Sequence, residues 1–301
     1  MSLTGTIACL LALGCSPGDT NTIPGGRLTM SANTATLMQR DILLVRATFH
    51  SSVDEELEVQ SPDDQARGYY FRIQLHKSGR WTTLPSVSDI AFGLGAVGEP
   101  GRSCIAGRTS YAEYNWYHRT RSEFIFEDIG IYRLRAIARI AGREVTSNEV
   151  SIEAKERPVD SLEQIQELDD LASEFSFPSL RWHRPEKFLA VRSAGGNIGV
   201  SINNFMFVQE FALTGRADGK PIGLSEFCSA LRKSSDSVSY ENSMTLLIRH
   251  YLPRRDVESL AYVLNQLPYD SGARREGLSY LHKHAPGPDK RVELPSCAQE
   301  K

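Results

Sequence analysis

The sequence predicts an all-β sandwich followed by an all-α part, and three observations carry that prediction. Apolar residues alternate with a period of two from residue 26 to about 155. The period changes to 3.6 beyond Pro158. Turn and breaker residues punctuate both parts at the spacings that short strands and short helices require. With 301 residues the chain is long enough to bury two ordinary cores. Its 24% charged residues and net charge of −3 argue against a nucleic-acid binder driven by phosphate neutralisation. No internal stretch approaches the roughly 18 consecutive apolar residues of a membrane span.

The first element is residues 1–14, an apolar run (IACLLAL, Ile7 to Leu13) closed by Gly14. It has the order of a secretory signal: an apolar core, a small residue, then a break. Cys15 follows, and SPGDTNTIPGG reads as a polar, Pro- and Gly-rich tether, giving residues 15–25 a linker role. The stretch LLALGC resembles the lipobox of bacterial lipoproteins, although Ala12 stands where that motif most often has Leu, and MSLTGT lacks Lys and Arg. The resemblance implies cleavage before Cys15, a lipid thioether on its sulfur and anchoring in the cell envelope. Ser16 next to it points, by the same resemblance, to the periplasmic side of an outer membrane where there are two membranes. More than one acyl chain is needed for stable anchoring, which the lipoprotein modification supplies.

In the sandwich, residues 26–155, Leu43, Val45, Ala47 and Phe49 share one face of a strand whose other face turns polar at Arg46, Thr48 and His50. Tyr69, Phe71, Ile73 and Leu75 alternate with Tyr70, Arg72, Gln74 and His76. Tyr132, Leu134, Ala136 and Ala138 alternate with a mostly basic face, and Ala141-Gly142 is placed for a tight hairpin turn. The stretch DIGIY, with Asp128, Gly130 and Tyr132, matches the D-x-G-x-Y pattern of the tyrosine corner and so resembles immunoglobulin-like domains. That resemblance implies a hydroxyl bonded back to nearby backbone. Leu134 stands where an antibody domain has its second cysteine, so apolar packing rather than a disulfide is expected to join the sheets.

Between Leu84 and Ser122 the alternation fails, and Tyr111, Tyr114, Trp116, Tyr117 and His118 cluster beside basic residues. Such a group can stack a sugar or grip a peptide, which makes it the candidate binding site; it can also form an extra strand.

Residues 156–301 form the helical part. Asp160 with Glu163 is a candidate capping box, and further helices are expected near 203–213, 223–234, 239–252, 255–267 and 271–284. Ser239, Asp256 and Ser271 are candidate caps, and Pro253, Pro268 and Pro286 mark ends. The spacing of the last three resembles tetratricopeptide-type hairpins, so the part is either an irregular helical bundle or a short helical repeat. Cys228 and Cys297 either bridge or stay as buried thiols.

No G-x-S-x-G, Walker loop, H-E-x-x-H or paired C-x-x-C occurs, and AGGNIG at 194–199 reads as a turn rather than a phosphate loop. Catalytic residues are therefore unassigned, and no metal site or cofactor is expected. The reading is a non-enzymatic, lipid-anchored envelope protein that binds a protein or surface polymer, its membrane contact made through Cys15. The alternative is an exported enzyme with its site in the cleft between the two parts, near Trp182, His183 and Asn203.

Overall fold

The computed structural model describes residues 22–23, 25–53, 57–60, 71–77, 79–84, 102–105, 107–115, 117–118, 123–166 and 195–284. The signal-like segment, Cys15, Trp116, Trp182, His183 and Cys297 lie outside them.

The strands run β1 (Thr22–Ile23), β2 (Gly26–Ala32), β3 (Thr36–Met38), β4 (Leu43–Ser51), β5 (Leu57–Gln60), β6 (Arg72–Lys77) and β7 (Arg80–Thr83). They continue as β8 (Arg102–Ile105), β9 (Arg108–Asn115), β10 (Tyr117–His118), β11 (Glu123–Phe124), β12 (Gly130–Ile140), β13 (Arg143–Thr146) and β14 (Val150–Lys155). One sheet has the order β1-β2-β4-β9. The other centres on β12, which pairs with β14 on one side and β6 on the other; β3 joins β14 in parallel, and β7 joins β6.

The period-two faces meet as expected. Leu28, Leu43, Val45, Ala47 and Phe49 from the first sheet bury against Ile73, Leu75, Leu134, Ala136, Ala138 and Ile152 from the second. The β12–β13 hairpin turns at Ala141 and Gly142, both with positive φ (49° and 76°), the geometry of a two-residue type I′ turn. Tyr132 makes the corner that DIGIY suggests: its hydroxyl donates to Asp128 O at 2.7 Å and accepts from Asp128 N–H at 2.9 Å.

Among the described residues six α-helices follow: α1 (Val159–Gln166), α2 (Gly196–Thr214), α3 (Leu224–Ser234), α4 (Ser237–Tyr251), α5 (Val257–Gln266) and α6 (Gly272–His284). Three starts differ from the sequence reading. The first helix begins at Val159, so Asp160 sits in its first turn rather than at its cap. The fourth begins two residues early, because Asp236 and not Ser239 is the capping residue; its carboxylate accepts from the Ser239 N–H at 3.0 Å. The second begins at Gly196, within the stretch read as a plain turn. Asp256 does cap α5, accepting from Ser259 N–H at 3.1 Å.

These helices have no core to themselves. Ile198, Ile202, Phe205, Phe227, Leu247 and Leu264 pack together with Ile42 and Leu44 of the β4 segment and with Phe124. The outer face of β4 turns polar at Arg46, yet Arg46 and Thr48 are covered there along with the apolar Ile42 and Leu44. The reason is that the helical layer lies on this sheet; on the other sheet's outer face Arg133 and Arg135 keep exposure, whereas Arg72 and Ile137 are buried. Cys228 is a free thiol within the shared core, and burial pushes it up to about 11.

Candidate functional site

On a strand, alternate side chains leave on opposite faces, so the residues flanking the buried Leu134 and Ala136 on β12 must point outward. They are Arg133, Arg135 and Ile137, of which Ile137 is buried and the two arginines are not. Register then fixes their neighbours. Arg133 sits opposite His76, which sits opposite Trp81; Arg135 sits opposite Gln74, which sits opposite Thr83. Two rows of side chains result, running across β12, β6 and β7.

The rows are joined. The Arg135 guanidinium carbon lies 4.1 Å from the centre of the Trp81 ring, and its Nε donates to Gln74 Oε1 at 2.8 Å. Arg133 lies 5.9 Å from the same ring, and its Nη2 is 3.2 Å from His76 Nε2. A guanidinium only donates, so in this contact His76 Nε2 is the accepting atom. His76 also meets the indole edge-on, ring centres 5.1 Å apart. Glu149, 3.4 Å from Arg133 Nη1, closes the group on the β14 side. Partial burial pushes Arg135 below the usual guanidinium range, while the charges of Glu149 and Glu144 act against that shift. Arg135 remains cationic over any physiological pH. Chemically the face offers cation donors held in fixed directions, an indole and an amide. These are the means of binding an anion or a polar ring.

The second polar concentration lies between sheet and helices, where the enzyme alternative would need its site. Arg46 Nη2 is 2.7 Å from Glu241 Oε2, and Arg108 Nε is 2.8 Å from Asp270 Oδ2. Burial raises Glu241 above the usual carboxylate range, opposed by a hydrogen bond from Ser271 and by the Arg46 charge. Asp41 accepts from the first-turn N–H groups of Asn197 and Ile198 at 2.9 and 2.5 Å. Arg157 Nη2 lies 3.5 Å from the same carboxylate. Burial raises Asp41 and lowers Arg157, so each loses much of its preference for charge to desolvation. The α2 N-terminus, the place a phosphate would take, thus already holds the chain's own carboxylate. Gly196 permits this: its φ is +68°, and a Cβ there would collide with Asp41 Oδ2. These groups fasten the two layers to one another.

The aromatic cluster singled out in the sequence falls on β9 and the short β10, at the end of what had read as an irregular stretch. Tyr111 is half-buried against Phe49, ring centres 6.0 Å apart, and a Cβ on Gly272 at the start of α6 would strike its ring. Tyr114 pairs through its backbone with Leu44, and Tyr117 and His118 with Phe124 and Glu123. The side chains of these three lie outside the described residues. Asn203 lies on α2, while Trp182 and His183 are outside the description. Among the described residues no group of three His, Cys, Asp or Glu is placed to hold a metal ion, and no helix is long and apolar enough to cross a membrane.

Sequence reasoning found the basic face of β12 but not its partners. Gln74 and His76 stood in the alternation as outward residues, and Trp81 follows the Ser-Gly pair that signals a hairpin. Reading those two signals together would have brought Trp81 beside His76. Only the β6–β12 register adds the arginines.

The class defined by this arrangement is a β-sandwich with helices packed on one of its sheets. No protein-family model matches the chain, and comparison with curated proteins finds no match. Among solved structures it is similar to the sporulation control protein Spo0M of Bacillus subtilis, at 11% identity and a TM-score of 0.29. That match covers 48% of this chain, which spans only 56% of the length of Spo0M. It is also similar to the cupredoxin domain of amoB from Nitrosocaldus yellowstonii, at 13% identity and a TM-score of 0.26, covering 45% of this chain and 90% of that one.

Proposed function

We propose that the protein is a non-enzymatic, lipid-anchored envelope protein whose sandwich binds an envelope component through the outward face of its β12-centred sheet. The single observation that carries the binding reading is the joined group Gln74, His76, Trp81, Arg133 and Arg135 on that face. The anchor rests on the resemblance of LLALGC to a lipobox, with Cys15 as the attachment point.

The sandwich reads as immunoglobulin-like. Its support is the β2-β4-β9 sheet facing β3-β14-β12-β6-β7, with β3 parallel to β14 and the Tyr132 corner at the start of β12. For the helical part, a bundle is the better reading than a repeat, since α3, α4 and α5 share one core with α2 and with the sheet. At the junction Arg46 pairs with Glu241, Arg108 with Asp270 and Arg157 with Asp41, an arrangement that favours a structural seam.

Two measurements test the proposal. Intact and N-terminal mass spectrometry on protein from the native membrane fraction is expected to find a mature chain beginning at acylated Cys15. A chain that keeps Met1 would remove the anchor. Co-sedimentation of the detergent-solubilised chain with delipidated envelope fragments is expected to be reduced by Arg135→Gln; retention equal to wild type would place binding elsewhere.

A further inference from the structure

We propose that the outward face of β6, β7 and β12 binds an acidic polysaccharide, a polymer of sugar rings bearing carboxylates, laid across the three strands. This rests on the reading that this sheet is the binding surface, and it names the ligand class.

Charge comes first. The chain as a whole is acidic, with net charge −3. On the outward positions of these three strands stand Gln74, His76, Trp81, Thr83, Ile131, Arg133, Arg135 and Arg139, none of them acidic, while Arg72 and Ile137 at the end of the same face are buried. Acids appear on the far side, where Glu149 and Glu153 stand with Lys155 and where Glu144 lies opposite Arg139. An anion is therefore drawn more strongly to the β6–β7 half of the face than to this mixed-charge half. The asymmetry gives a ligand a defined place.

Donor geometry comes second. Arg135 has Nε tied to Gln74 and its plane set near the indole, so the fork is fixed before a ligand arrives. Its two Nη groups make no hydrogen bond to the described residues, and they are not buried. They are suited to pair with a carboxylate in the bidentate manner, the strongest form of such contacts. Arg133, two residues along the strand and about 7 Å away by strand geometry, gives a second cation in line.

Shape and chemistry decide between polymers. A pleated sheet face is broad and open, which suits an extended chain better than a small molecule that needs enclosure. Indole is an apolar platform for the C–H face of a sugar ring, and Gln74 with Thr83, 3.4 Å apart, supplies amide and hydroxyl partners for ring hydroxyls. An acidic polypeptide would satisfy the arginines but would leave the indole and these groups without a matching partner.

The test uses the full chain in detergent, with affinity electrophoresis and calorimetry against three probes: polygalacturonate, neutral dextran and polyglutamate. The expected result is binding to polygalacturonate alone, weakened as ionic strength rises from about 0.05 to about 0.5 M. Arg135→Gln and Trp81→Ala are each expected to weaken it about tenfold, at circular dichroism and melting temperature matching wild type. If Trp81→Ala does not fold, Arg135→Gln and Trp81→Tyr stand in: the first is expected to lose binding and the second to keep most of it. Binding to polyglutamate with equal strength overturns the polysaccharide assignment, as does an absence of binding to polygalacturonate or binding unchanged in the variants. Envelope retention that still depends on Arg135 would in those cases leave the binding surface standing and reject only the ligand class.

Discussion

Tyr132 shows how much one hydroxyl can organise. Its two bonds to Asp128 satisfy both backbone groups of a residue at the bend that leads into β12. Burial, joined by the charges of Asp128 and Glu127, pushes the phenol up to about 12, so it stays a neutral donor at all ordinary pH. Tyr132→Phe keeps the ring packed on Phe126 but strands those two backbone groups. A loss of about 1–3 kcal/mol is expected, read from the urea midpoint at unchanged slope. His250 makes the pH prediction. It is 6% exposed, and burial, with the nearby Arg254 charge, lowers its pKa below the ordinary imidazole value of 6.5. The folded state therefore binds fewer protons than the unfolded state just below pH 6.5, and stability falls as pH drops through that window. His50 is shifted the same way, by burial and by Arg108 and Arg27. His250→Asn should flatten the fall of unfolding free energy between neutral pH and the lowered pKa. The raised carboxylates Asp41 and Glu241 act oppositely but equally in both proteins, so the difference isolates His250.

At the scale of elements, β4 is the strand on which the fold turns. Leu43, Val45, Ala47 and Phe49 enter the sandwich core while Leu44, on its other face, enters the core shared with the helices. Arg46 also points to that second face, and its side chain keeps only 18% exposure beside Glu241 at 2%. Breaking such a pair from one side leaves a charge that water cannot reach. Arg46→Met alone is expected to lower stability by about 3–5 kcal/mol. Arg46→Met combined with Glu241→Leu should recover at least half of that loss, because the double variant leaves no buried charge at the pair. A double-mutant cycle by chemical denaturation reads the coupling; simple additivity of the two single losses would show that the pair contributes nothing as a pair.

At the scale of the molecule, the helical layer and the sandwich depend on each other for burial. A chain ended after residue 155 would uncover Ile42, Leu44 and Phe124, each of which contributes roughly 1.5–3 kcal/mol when fully buried. It would also lose Arg157 beside Asp41. Such a chain is expected to self-associate through the exposed face of the β1-β2-β4-β9 sheet, seen as a concentration-dependent mass in light scattering. A stable monomer would mean that the sandwich stands alone and that the helices are an appendage.

Much of this was legible in the residues. Period two located the inner face of β4, β6 and β12, Ala141-Gly142 located a turn, and DIGIY located the corner, because each depends on neighbours a few residues away. The ends of α3, α5 and α6 were legible within about two residues for the same reason. Long-range contacts were not. The start of α2 depends on Asp41, 156 residues from Asn197, and the α2 cap therefore left no mark in the local sequence. The polar look of Arg46 concealed a covered face, since its counter-charge lies 195 residues further on. The group on β6, β7 and β12 is scattered from Gln74 to Arg135 and is assembled only by register. The sequence by itself determined the periods, turns and local caps, which short-range sterics and hydrogen bonding decide. Tertiary structure alone decided which face of each strand is covered, which charges neutralise each other and which remain for a ligand, because those outcomes depend on pairing between segments far apart in the chain.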